Sequence, residues 1–291
     1  MEPEKNRELY DLINNSYISS VERVVTEIVR VINDPNSSAK DLKEVIELDP
    51  PLTGRILRRA NSAYYSRRRG VSEVQDAVIL LGFDVVKELA LNQKVAELFA
   101  DDTVIHGYSR LALWKQSVAV ALAAKFIYRR ELALRGDDVY AAGLLHNIGI
   151  IVEDQFLHQD FVRVLQRSRE EQRDFLRLET EAFGFDHTNI GMALANNWNL
   201  PVDLVMAIGY HHAPESASAD SIRMAATLFI ANYLCQQAEI GFTHAPVRNK
   251  RQVRVLMDRL KLSEKGLDLI LEAVVQELRR MEKHNWFQIA A

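Results

Sequence analysis

Between Ala141 and Ile150 two adjacent polar residues, His146 and Asn147, close a strongly apolar helical run. That juxtaposition constrains the fold more than any other stretch. A polar group buried without a partner costs about 1–3 kcal/mol, so a chain that buries this run must bring partners to the pair from elsewhere. The scaffold available for doing so is helical. The 291 residues include only 12 glycines and 7 prolines, about half the usual share, and long helices therefore meet few interruptions. Apolar residues recur at helical spacing through Val21, Val24, Val25, Ile28, Val31 and Ile32, again through Leu52, Ile56, Ala60 and Ala63, and last through Leu267, Ile270, Leu271, Val274, Leu278 and Met281. From Ser109 to Arg130 the chain is apolar on most sides, the pattern of a helix at the centre of a bundle. The class that follows is all-α.

Punctuation supports the same reading. Ser38 with Asp41, and Ser72 with Gln75, have the spacing of capping boxes. Asp49-Pro50-Pro51 stops one helix before the next begins, Gly82 and Gly184 mark helix ends, and Asp186 opens a capped helix. Leu200-Pro201 predicts a helix with proline in its first turn that runs to His211-His212. Asn232 falls in a long helix over 220–237.

Composition removes several function classes. Charge is balanced, 36 basic against 40 acidic residues for a net −4, so no global field draws the protein to nucleic acid or an anionic membrane. The lone Cys235 forms no intramolecular disulfide and builds no cysteine zinc site, which fits a reducing compartment and a small core residue. The N-terminus shows no secretory signal, and the strongly apolar stretch Val118 to Ile127 is too short to span a bilayer. The expectation is a cytoplasmic protein with no membrane partner. No glycine-rich phosphate loop, serine nucleophile elbow or two-cysteine metal motif is present.

Three ordered segments carry a family resemblance. Leu48-Asp49-Pro50-Pro51-Leu52-Thr53, Arg58-Arg59-Ala60-Asn61-Ser62-Ala63 and Asp76-Ala77-Val78-Ile79-Leu80-Leu81-Gly82 resemble the N-terminal half of the HDOD family, bacterial signalling-associated relatives of the HD metal-dependent phosphohydrolases. The Ala141–Ile150 segment resembles the HD superfamily itself, and the match spans roughly Val21 to Tyr233. The resemblance implies a compact HD-like bundle with a packed N-terminal helical lobe over 1–105, a degenerate HD-like lobe over 106–240 and a C-terminal helical extension over 241–291.

It also implies a damaged metal centre. An HD site uses a first histidine, the His-Asp pair and a late aspartate. Those positions here hold Gln116, His146 with Asn147, and Asn232. Asparagine matches aspartate in size but has no charge, so it is a poor ligand for a hard cation and cannot act as a base. His187, His211 and His212 match histidines that some relatives add, so a vestigial metal set of His146, His187, His211 and His212 remains, open to an adventitious borderline divalent ion. The plainer expectation is no cofactor, with the histidines satisfied by hydrogen bonds to Gln116, Asn147 and Asn232. On either reading His146, Gln116, Asn147, His187, His211 and Asn232 converge from different helices.

A second cluster is basic. Arg55, Arg58, Arg59, Arg67, Arg68 and Arg69, with Asn61, Tyr64 and Tyr65, have the composition to receive a phosphate, a nucleotide or an acidic partner; a solvated helix and turn face explains them more simply, since a charge run by itself seldom marks a site. Trp114 and Trp198 read as core. Trp286 reads as packing back on the last helix or as a partner surface. The function expected is a non-catalytic bacterial signalling module that acts on other signalling proteins, as a stand-alone adaptor or as the output piece of a larger regulator. The alternatives are a sensor of a nucleotide or other anion and, behind it, a residual metal-dependent phosphohydrolase.

Overall fold

A computed structural model describes residues 19–62, 70–100, 103–243 and 250–287. The helices are α1 (Ser19–Asn33), α2 (Ala39–Glu47), α3 (Pro50–Ala60), α4 (Val74–Leu81), α5 (Phe83–Val95), α6 (Arg110–Phe126), α7 (Asp137–Leu145), α8 (Ile148–Phe156), α9 (His158–Glu170), α10 (Phe175–Phe183), α11 (His187–Asn197), α12 (Val202–Tyr210), α13 (Ile222–Gln237), α14 (Lys250–Leu260) and α15 (Glu264–Lys283). Among the described residues there is no β-strand, only an isolated bridge between Ile105 and Tyr108. Contacts divide the chain into one unit of Ile18–Ala100 with Val275–Ala291 and another built on Asp101–Val274, a division that cuts the 241–291 segment within α15.

In the first unit the apolar stripe of α1 is fully buried at Val25, Ile28 and Val29. Ser38 and Asp41 form the reciprocal capping box that their spacing predicts. Asp49 ends one helix and begins the next, its carboxylate accepting from the Leu52 N–H at 2.9 Å. The Ser72–Gln75 box does not form. Helix α4 starts at Val74 with Glu73 at its N-cap and no side-chain cap bond, too late for Ser72 to reach its first N–H groups.

The basic cluster is partly consumed by this unit. Arg55 pairs with Glu97. Arg59 donates to the carbonyls of His284, Asn285 and Trp286 at 3.3, 3.0 and 3.1 Å and lies 5.2 Å over the Trp286 ring. Arg58 is exposed, and Tyr64, Tyr65, Arg67, Arg68 and Arg69 lie outside the described residues. The carbonyls that Arg59 receives end α15, where Asn285 takes a left-handed φ of 56° and the Trp286 N–H closes on Met281 O. Trp286 and Phe287 are buried by this arrangement. Arg59→Ala removes a cation from a helix C-terminus together with three charge-assisted bonds. The expected loss is about 1–2 kcal/mol in urea denaturation, since the site is part-exposed; an unchanged midpoint would remove the clamp from the account.

In the second unit α6 packs against α7 and α13, α12 packs against α7, α11 and α13, and α8 packs on α11. With the π-helical turn Ile127–Glu131 that follows it, α6 makes a 22-residue run that is long and apolar enough to cross a membrane by length and composition, longer than the Val118–Ile127 stretch suggests. Its most apolar window is 78% buried, as befits the central helix of a bundle. Proline 201 sits at the N-cap of α12, one residue before the predicted first turn. Trp114, Trp198 and Cys235 are core residues, and burial pushes the Cys235 thiol up to about 12.

Candidate functional site

Helix α7 ends at Leu145 and α8 begins at Ile148, so His146 is the C-cap of one helix and Asn147 the N-cap of the next. Glycine places that break. At Gly143 a Cβ would lie 2.6 Å from the Ala121 Cα and 2.9 Å from its nitrogen, so only glycine lets α7 lie directly on the α6 backbone. One turn further on, the helix break faces Gln116. The Gln116 amide donates to Asn232 Oδ1 at 2.9 Å, Asn147 Nδ2 donates to Gln116 Oε1 at 3.5 Å, and Gln236 Nε2 donates to the same Asn232 oxygen at 3.4 Å. Gln116, Asn147 and Asn232 are each at most 3% exposed. The three positions that hold a charged or imidazole ligand in an HD site thus satisfy one another as neutral amides.

The imidazoles gather beside this network. His187 is the first residue of α11, fixed by the Asp186–Asn189 capping box, and His211 is the C-cap of α12 with His212 next to it. Ring centroids lie 4.9 Å apart for His146 and His211, 5.4 Å for His187 and His211, 5.3 Å for His187 and His212, and 4.2 Å for His211 and His212. All six residues expected to converge lie within this one unit.

The amides do not satisfy the histidines, contrary to the plainer expectation. His146 Nδ1 lies 2.7 Å from Gly143 O and His211 Nδ1 lies 2.7 Å from Ile208 O, each reaching back three residues to a carbonyl in the last turn of its helix. His187 Nδ1 lies 2.9 Å from both oxygens of Glu179. A carbonyl or carboxylate oxygen can only accept, so these contacts place the proton on Nδ1 and leave Nε2 as a bare lone pair. The Nε2 atoms of His146, His187 and His211 are buried and, among the described residues, have no hydrogen-bond partner.

Two carboxyl groups stand behind His187. Glu179 and Glu153 are fully buried, and burial pushes both well above the usual carboxylate range, with the Glu179 charge adding to the effect at Glu153. Neither oxygen of Glu153 has a hydrogen-bond partner among the described residues, so Glu153 holds the proton of the pair, and Glu179, which also accepts from the His187 backbone N–H at 3.5 Å, is its ionised member. Burial likewise drives the imidazoles toward neutrality: His146 falls to about 4, and His187, His211 and His212 shift the same way. Sequence reasoning missed Glu153 and Glu179. The signal was there, since each is a charged residue in an apolar helical stretch, Glu153 directly after Ile150-Ile151-Val152 and Glu179 one turn after Phe175.

A hard dication of the HD type does not fit these residues, because its anionic ligands are replaced by amides already bonded to one another. A borderline ion fits better. One nitrogen from each of His187, His211 and His212 lies within 4.8 Å of the others, and His146 is a fourth neutral imidazole at hand.

A helical unit with a His-Asn pair at its central helix break, a late asparagine facing it and a residual histidine cluster is a degenerate HD-like protein. The chain belongs to the HDOD domain family, whose model matches residues 18–214. An HDOD domain protein of unknown function from Geobacter sulfurreducens is 31% identical, with a TM-score of 0.74 over 89% of this chain and 90% of that one. A protein provisionally assigned to signal transduction from Marinobacter aquaeolei VT8 is 22% identical, with a TM-score of 0.76 over 97% of this chain and 65% of that one, a likeness of fold. An uncharacterised protein of Treponema pallidum is 26% identical over 210 residues; the matched region is 71% of this chain and 40% of that curated relative's length.

Proposed function

We propose that this chain is a non-catalytic module of a bacterial regulatory pathway, working in the cytoplasm through contacts with other signalling proteins. The observation that carries the reading is the Gln116–Asn232–Asn147 amide network. It occupies the positions from which an HD enzyme holds its metal, and it leaves no carboxylate there to take a proton from water. The fold shared with a protein provisionally assigned to signal transduction supports the regulatory part. The neighbour provisionally assigned as a phosphohydrolase, from Shewanella amazonensis SB2B, is 22% identical, with a TM-score of 0.68 over 92% of this chain and 93% of that one; it shares the fold and gives the enzyme reading no residue-level support. An anion sensor built on the arginine stripe draws less support than the sequence lends it, since Arg55 and Arg59 are engaged within their own unit.

The test is turnover. Purified protein is assayed with manganese, zinc or magnesium against phosphomonoesters, nucleotides and cyclic dinucleotides. No metal-dependent hydrolysis is expected, and turnover that His146→Ala abolishes would overturn the non-catalytic reading.

A further inference from the structure

Three buried imidazole nitrogens with no donor facing them are an unusual thing for a folded interior to keep. Each such lone pair carries the cost of an unsatisfied buried acceptor, and the Gln116 and Asn147 amides donate to side-chain oxygens and not to these nitrogens. The common cause is on the opposite edge of each ring. Every Nδ1 is held by an atom that can only accept, so the tautomer is set three times over and Nε2 is left bare. Backbone carbonyls do this for His146 and His211. For His187 the chain uses a fully buried carboxylate on a different helix, which a merely structural histidine would not need. A carboxylate behind a histidine whose other nitrogen is free is the outer half of a carboxylate–histidine–metal arrangement.

We propose that Glu179 is the positioning residue of an all-imidazole transition-metal site, in which it takes the Nδ1–H of His187 and turns Nε2 toward a borderline divalent ion of the zinc class held with His211 and His212. Nitrogen donors suit such an ion where hard cations require oxygen. Glu179 does not touch the ion; its charge reaches it through the His187 ring, whose nitrogen it makes more basic. The site does not depend on the regulatory reading, because binding and hydrolysis are separate readouts: an ion bound without turnover leaves both standing, and turnover overturns only the other.

The experiment uses the full chain without a histidine tag, stripped with chelator and titrated with cobalt(II) and then zinc(II). Expected are visible cobalt bands of a nitrogen-rich site saturating at one equivalent per chain and displaced by zinc. Glu179→Gln keeps the carbonyl acceptor but loses the charge, and is expected to weaken zinc binding about 10–100-fold at unchanged stoichiometry. His211→Ala and His212→Ala are expected to weaken it further. Imidazole nitrogen spectra of the metal-free protein should show His187 protonated at Nδ1 in the wild type and as a mixture of tautomers in Glu179→Gln. His212 is half-buried, so His212→Ala tests the site even if His211→Ala fails to fold. Folded protein that takes up less than one equivalent without visible bands, or His212→Ala that binds as the wild type does, overturns the site. Wild-type affinity in Glu179→Gln overturns the role of Glu179.

Discussion

Gly149→Ala is expected to cost about 3 kcal/mol or more, the upper end of what overpacking does. A Cβ at position 149 would lie 2.0 Å from the His187 carbonyl oxygen, 2.8 Å from its carbonyl carbon and 2.9 Å from its Cα. These are backbone atoms of the first turn of α11, so no side chain can swing aside and α8 and α11 must part. For a unit of this size the melting temperature should fall by roughly 6–12 °C. The displaced backbone is that of His187, so the variant should also lose whatever affinity the imidazole cluster has. Gly54→Ala is the control: it lies inside α3 with nothing near its Cβ, and it should hold or slightly raise stability. A Gly149→Ala protein melting within 2 °C of the wild type would mean that α8 and α11 do not meet as described.

The second large effect is acid sensitivity of the metal-stripped protein. His146, His187, His211 and His212 have folded-state values below the unfolded one near 6.5, His146 at about 4, with burial the first cause in each. For depressed imidazoles the stability is fully present above pH 6.5. It is lost as pH falls toward the folded values, because the unfolded chain takes up protons that the folded one refuses. Glu153 and Glu179 act in the opposite sense: their raised values favour the folded state at low pH and weaken it as pH climbs through them. Near pH 5.5 the unfolded imidazoles take up more protons than the single one that the folded carboxyl pair retains, so the imidazoles set the sign and acid weakens the folded state. The unfolding free energy from urea titrations should therefore be lower at pH 4.5 than at pH 6.5, by on the order of a few kcal/mol. A flat profile would require these imidazoles to be charged or hydrated in the folded state.

How much of this was legible depended on whether one element or two decided it. The helices α1, α6 and α11 follow from apolar spacing and caps that lie within a few residues, and they stand where those signals put them. Helix α14 was missed because only Val253, Leu256 and Leu260 are buried along a stretch otherwise dense in charge. The meeting of Gln116, Asn147 and Asn232 could be anticipated, since isolated amides in apolar runs must find partners. What they would do on meeting could not: amides bond to amides here and leave His146 and His211 to helix-end carbonyls and His187 to the Glu179 carboxylate, a choice set by the directions of rings and backbone ends. Arg59 is a similar case. Beside Arg55 and Arg58 it reads as part of a patch, and its partners lie more than two hundred positions away at the end of α15.

The central helix has a consequence for how the chain is made. Arg110–Glu131 is apolar enough to pass for a membrane segment, and one of the helices that covers it, α13, begins roughly 90 residues later. At about 5–20 residues per second, a ribosome leaves that face uncovered for several seconds to nearly twenty. During that interval the nascent chain presents the surface that targeting factors and holdase chaperones bind.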